Sequence, residues 1–106
     1  MEDKNPKNNE GNTPLHYAAD QFDFCQLFVQ NIEDKNPKNN VGMTPLHWAA
    51  EYEAGDFEPF KLIFENVDDK NPADNKQRTP LHMAAVFGDT DTIRLICSQV
   101  LKIFHL

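Results

Sequence analysis

Three histidines stand in the same setting, as the fourth letter of the words TPLHYAA from Thr13, TPLHWAA from Thr44 and TPLHMAA from Thr79. His16, His47 and His82 are enough in number to hold a zinc ion. Two cysteines, Cys25 and Cys97, could form a bridge or supply a thiolate nucleophile. The acid pairs Glu33 with Asp34 and Asp68 with Asp69 could work as acid and base, or ligate calcium. Each of these chemistries needs its groups within a few ångströms of one another, so the elements that carry them decide the matter.

Length and charge limit what those elements can be. The chain has 106 residues, enough for one small domain with a limited core. Seventeen acidic residues against ten Lys and Arg give a formal charge of -7. An acidic surface repels phosphate backbones and anionic headgroups, so the expected partner is another protein, with no nucleic acid and no membrane. Residues 1–12 are polar throughout, and no apolar run approaches the roughly 18 residues of a spanning helix. Neither a secretory signal nor a membrane segment is therefore expected, and the composition predicts an intracellular protein, cytoplasmic or nuclear.

Aligning the three words aligns what surrounds them. The preceding segments are DKNPKNNEGN from Asp3, DKNPKNNVGM from Asp34 and DKNPADNKQR from Asp69. The following ones are CQLFVQNIEDKNP, FKLIFENVDDKNP and IRLICSQVLKIFH. Nearly the whole chain is three copies of one unit, with its threonines 31 and 35 residues apart. Those spacings straddle the repeat of about 33 residues whose signature is T-P-L-H-x-A. From about residue 3 to residue 100 the chain resembles the ankyrin-repeat family.

The residues explain why each word starts a helix. Thr13, Thr44 and Thr79 sit where a side-chain oxygen can accept a first-turn N–H, and the proline after each costs no hydrogen bond there. Leu15, Leu46 and Leu81 point inward, and the Ala pairs behind them are thin enough for a second helix to approach. That second helix carries apolar residues at helical spacing: Phe24, Leu27 and Phe28, then Phe57, Phe60 and Phe64, then Ile93, Ile96 and Val100. Each unit is thus a helix pair, joined to the next through Asn/Pro/Gly-rich turns. The resemblance implies an all-α solenoid of three helix-turn-helix units with β-hairpin or turn fingers between them. It is read as one domain over 1–106, with repeats at about 9–39, 40–74 and 75–106, the finger preceding each word.

Both irregular spacings can be located. In unit three, Gly88 is placed to end the inner helix and Asp89 to cap the outer one. Unit two carries two extra residues before Gly55, which predicts a longer inner helix or turn, and Pro59 falls in the first turn of the next helix, where it is tolerated. Unit one lacks two residues and puts Phe22 where unit three has Gly88. A phenylalanine at positive φ would be an outlier, so a partly unwound first outer helix is expected.

With helices stacked roughly 8–10 Å apart, three histidines from three units cannot share an ion whose bonds are about 2 Å long. The resemblance implies instead a bond between the Thr and His of each word, plus a His contact to neighbouring backbone. Cys25 and Cys97 lie a whole unit apart, too far for the Cα separation of about 7 Å that a bridge allows. The acid pairs read as solvated turns, without the spacing of a calcium loop. No phosphate loop or serine nucleophile motif occurs. No catalytic residue, cofactor or metal is expected, and the chain reads as non-enzymatic.

The variable fifth letter, Tyr17, Trp48 or Met83, lies two residues from the inward Leu and Ala and so faces elsewhere. In the family this position lies on the concave face, where partners bind. The resemblance then implies three strips: Asn9, Glu10, Asn12, Tyr17 and Gln21; Asn40, Val41, Met43, Trp48 and Tyr52; Asn75, Lys76, Arg78, Met83 and Phe87. An aromatic and methionine column rimmed by polar tips has the composition of a binding hot spot. The competing reading is a structural or self-associating unit, or a piece of a longer array, that uses its uncapped ends or the Leu101–Leu106 tail. The tail is predicted to cover the flank of unit three.

Overall fold

In the computed structural model, which describes residues 5–51, 57–87 and 90–100, six helices follow one another. They are α1 (Pro14–Ala18), α2 (Phe22–Asn31), α3 (Pro45–Glu51), α4 (Glu58–Glu65), α5 (Pro80–Phe87) and α6 (Thr90–Val100). Among the described residues there is no strand. Each TPLH word opens an inner helix whose first residue is its proline, where φ is already set for a helix and no N–H is lost. Inner and outer helices pack in pairs, α1 with α2, α3 with α4, and α5 with α6. The pairs contact one another in chain order, inner on inner and outer on outer. The molecule measures 43 × 28 × 28 Å.

The core lies between the two helix rows. Leu15, Leu46 and Ala50 are fully buried, and Ala19 is nearly so. Opposite them sit Phe60, Ile63, Phe64 and Ile96, with the rings of Phe60 and Phe64 stacked at 5.4 Å. Lys70 closes α4, donating to the Phe64 and Val67 carbonyls at 2.6 and 2.9 Å while its ammonium lies 5.0 Å from the Phe64 ring centre. A cation satisfying carbonyls there complements the negative end of the helix dipole.

Two expectations for the first unit are corrected. Phe24 and Leu27, predicted to face inward, are 52% and 59% exposed, and Phe28 is half-buried; Cys25 and Val29 form the buried side of α2 instead. Leu62 and Leu95, which correspond to Leu27, are half-buried because α4 packs on α2 and α6 on α4, whereas no outer helix precedes α2 among the described residues. The second correction concerns Phe22, which opens a regular ten-residue α2 from an extended Gln21. Among the described residues only Gln77 has positive φ without being glycine. The two missing residues are absorbed by the inner helix: α1 has five residues and ends in a turn at Ala19 and Asp20. Buried Pro59 lies in the first turn of α4 as predicted. The expectations for the 52–56 insertion, for Gly88 and Asp89, and for the Leu101–Leu106 tail lie outside the described residues.

The turns before the inner helices share one hydrogen-bond scheme. Asn8 Oδ1 accepts from the Glu10 and Asn12 amides, and Asn39 Oδ1 from those of Val41 and Met43, all at 2.9–3.0 Å. In the third turn Asp74 Oδ1 accepts from Lys76 and Arg78 at 2.9 and 2.8 Å. Neighbouring turns are tied by Asn40 N–H to the Glu10 carbonyl and Asn75 N–H to the Val41 carbonyl, both at 3.0 Å. These turns carry the rim of the site.

Candidate functional site

The histidines hold the rim in place. Thr13 N–H donates to His16 Nδ1 at 3.0 Å, so Nδ1 is the acceptor and the proton sits on Nε2. Nε2 then donates to the Met43 carbonyl, 2.8 Å away in the next turn. His47 repeats the arrangement with the Thr44 amide at 3.1 Å and the Arg78 carbonyl at 2.8 Å. In both, the threonine hydroxyl lies 3.0 Å from Nδ1. The Thr and His bond and the contact to neighbouring backbone thus take the form expected of them. The threonine caps are weak by comparison: the first-turn amides of His47 and His82 reach Thr44 and Thr79 Oγ1 only at 3.4 and 3.5 Å.

This bonding gives His16 and His47 structural roles. Both nitrogens of His16 and His47 are engaged, and burial pushes both imidazoles below their usual value, against the opposing effect of the carbonyl bonds. Among the described residues no group of three His, Cys, Asp or Glu is placed to hold a metal. Cys25 is buried, its Sγ–H donates to the Ala18 carbonyl at 3.0 Å, and burial, with the Asp20 charge adding to it, pushes the thiol up to about 12. Such a thiol carries almost no thiolate at neutral pH. Asp34 and Asp69 accept from the Asn36 and Asn71 amides at 3.0 and 3.1 Å, which makes them turn formers.

The variable column faces the turns. Tyr17 Oη accepts from Asn8 and Asn12 Nδ2 at 2.9 and 3.2 Å. Trp48 meets Tyr17 edge to face at 5.4 Å and His16 at 5.3 Å, so the indole has defined neighbours on the unit-one side. Trp48 is half-buried and Tyr17 half-exposed. Met83 departs from the pattern: it is 5% exposed and part of the core.

Two concavities are formed along this face. One, of about 420 Å³, lies between the first two turns and α3, lined by Glu10, Asn40, Val41, Met43, Trp48 and Glu51 together with Asn9, Asn12 and Asn39. The other, of about 500 Å³, is lined by Glu51, Arg78, His82, Met83, Val86 and Phe87 with Ala85. The expected strips are therefore brought together in part. Asn9, Glu10, Asn40, Val41, Asn75, Lys76, Gln21 and Phe87 are exposed and Arg78 is half-buried. Asn12 and Met43 are buried at 3% and 8%, because they carry the turn bonds that position their neighbours. Tyr17, Gln21, Asn75 and Lys76 line neither concavity, and Tyr52 lies outside the described residues.

Sequence reasoning missed Glu51 and Val86, which stand three residues after Trp48 and Met83 on the same helices. Helix geometry carries the signal for both: positions three and four apart share a helix face, so the residue three along belongs to the same strip as Gln21, Tyr52 and Phe87. Burial raises the Glu51 carboxyl, and the charge of Arg78 opposes that shift. Arg78 is itself committed to Asp74, Nε to Oδ2 at 2.8 Å, in an ion pair four residues apart. Burial alone would raise the Asp74 carboxyl, but the Arg78 and Lys76 amides and the Arg78 side chain outweigh it and hold it low.

A family model described as ankyrin repeats, in three copies, matches residues 1–74 and 20–103. No curated protein matches the chain.

Proposed function

The chain belongs to the ankyrin-repeat family, and we propose that it is a non-enzymatic module that binds another protein through the concave face formed by its turns and inner helices. Ankyrin repeats are in general protein–protein interaction modules. In this reading the chain is a single domain, with repeats at about 9–39, 40–74 and 75–106 forming a short solenoid whose hairpin-like fingers are the three turns. The observation that carries the proposal is Trp48, the one tryptophan of the chain, half-buried and lining a concavity between two rigid turns. A large amphipathic side chain held in a shallow depression is the kind of group that dominates interfaces.

Several further observations support the reading. His16 and His47 act as staples, the Cys25 thiol is kept protonated, and Asp34 and Asp69 form turns. No helix among the described residues is long and apolar enough to cross a membrane. The charge of -7 disfavours nucleic acid and anionic lipid as partners. Two free cysteines fit a reducing compartment, cytoplasm or nucleus. The test is capture of a partner from cell extract by immobilised chain. Trp48→Ala should lose the captured protein while Leu27→Ser, on the opposite row, retains it; equal capture by Trp48→Ala would place the site elsewhere.

A further inference from the structure

The concavity beside Trp48 has an unbalanced chemistry. Its lining holds two carboxylates, Glu10 and Glu51, and no Lys, Arg or His. Many of its hydrogen-bond donors are engaged within the turns. Asn39 Nδ2 donates to Asn12 Oδ1 at 2.9 Å, Asn40 Nδ2 to the Asn9 carbonyl at 2.9 Å, and Asn12 Nδ2 to Tyr17. The Glu10, Asn12, Val41 and Met43 amides are taken by Asn8 and Asn39, and the Asn40 amide by the Glu10 carbonyl. The donors left over, the second N–H of each asparagine amide and the indole N–H among them, are neutral, and the formal charges in the lining are the two carboxylates.

No cation of the chain answers it among the described residues. Glu10 has no ion pair, and the Arg78 guanidinium, the charge felt by Glu51, is bonded to Asp74 and lies in the neighbouring concavity. The same lining supplies an aromatic surface in Trp48 and an apolar shoulder in Val41 and Met43. Two carboxylates lining one concavity with an indole match one side chain closely: guanidinium is planar, stacks on aromatic faces, and presents parallel donors to a carboxylate, whereas an ammonium does only part of this.

We propose that this concavity receives an arginine side chain of a protein partner, its guanidinium against Trp48 and its N–H groups donating to Glu10 and Glu51, with the arginine methylenes along Val41 and Met43. The proposal rests on the concave-face reading and narrows it to a partner that presents arginine from a basic segment. The overall charge of -7 favours the approach of such a segment.

Because Trp48 is the one tryptophan, its fluorescence reports directly on the concavity. The probes are blocked pentapeptides of alanine whose central residue is arginine, its neutral isostere citrulline, or glutamate. The arginine peptide should change the emission saturably, citrulline and glutamate should bind at least tenfold more weakly, and added salt should weaken the arginine peptide alone. The double variant Glu10→Gln, Glu51→Gln, with helicity checked by circular dichroism, should lose at least tenfold in arginine-peptide affinity. Equal binding of arginine and citrulline, no saturable change with arginine, or an unchanged affinity in the double variant would each overturn the proposal. A partner captured through Trp48 but indifferent to the double variant would overturn the arginine site and leave the concave-face reading standing.

Discussion

His47 Nε2 donates to the Arg78 carbonyl at 2.8 Å, joining the inner helix of one unit to the turn of the next across 31 residues. The same imidazole accepts the Thr44 amide on its other nitrogen, so one side chain fixes its own helix start and its neighbour's rim. His82 reaches its own Thr79 but, among the described residues, bonds to no following turn, and it is exposed. Replacing His47 by Ala leaves two polar groups unpaired and should cost about 2–3 kcal/mol, whereas His82→Ala should cost less than about 1 kcal/mol. Urea denaturation of the two variants measures the gap; equal losses would show that the bond between units contributes nothing.

Buried, neutral histidines make stability depend on pH. The pKa values of His16 and His47 are lowered by burial from the usual value of 6.5. Above that value both states are neutral and nothing is lost. Below it the unfolded chain takes up protons that the native imidazoles refuse, so native stability falls as pH drops toward the folded pKa. Melting temperature should therefore decline from pH 7.5 to pH 5.5, a window above the ordinary carboxylate range. His47→Ala should show a shallower decline on this scale, and a parallel one would exclude His47 as a source.

Gly42 and Gln77 occupy the same place in successive turns, with φ of 82° and 64°. A Cβ at Gly42 would come within 2.5 Å of Asn75 Oδ1 and 2.8 Å of its backbone N, because the next turn docks there. Gly42→Ala should destabilise by about 1–2 kcal/mol, and Gln77→Gly should be neutral or stabilising by up to about 1 kcal/mol, since glycine relieves the left-handed conformation. A melting shift in the reverse order would refute the assignment.

Thiol chemistry separates the two cysteines. With its thiol pushed up to about 12 and bonded to Ala18, Cys25 should resist a disulfide reagent in native buffer and react only on unfolding. Cys97 is half-buried and should react sooner. Simultaneous labelling of both in the folded chain would show that α2 opens far more readily than its packing implies.

Much of this was legible because the repeat writes its physics three times. The word TPLH fixed each helix start and the Thr and His bond, and recurring Asn and Gly fixed the turns. What could not be read depends on neighbours that lie far off in sequence. Phe24 and Leu27 carry an inward spacing but lack a preceding outer helix, so they stay exposed. Met83 aligns with Tyr17 and Trp48 yet packs into the core, since a thin flexible side chain can turn inward where two rings cannot. Glu51 lines both concavities although its letter is unlike its counterparts Asp20 and Val86, and repetition draws attention away from a position that varies without pattern.

The proposed function depends on which face of the helix stack meets a partner. Hydrogen exchange of the chain with and without a captured protein reads this residue by residue. New protection at residues 9–12, 40–43 and 46–51, with α2 and α4 unchanged, is the predicted result; protection confined to the outer helices around Phe24 and Leu27 would contradict it.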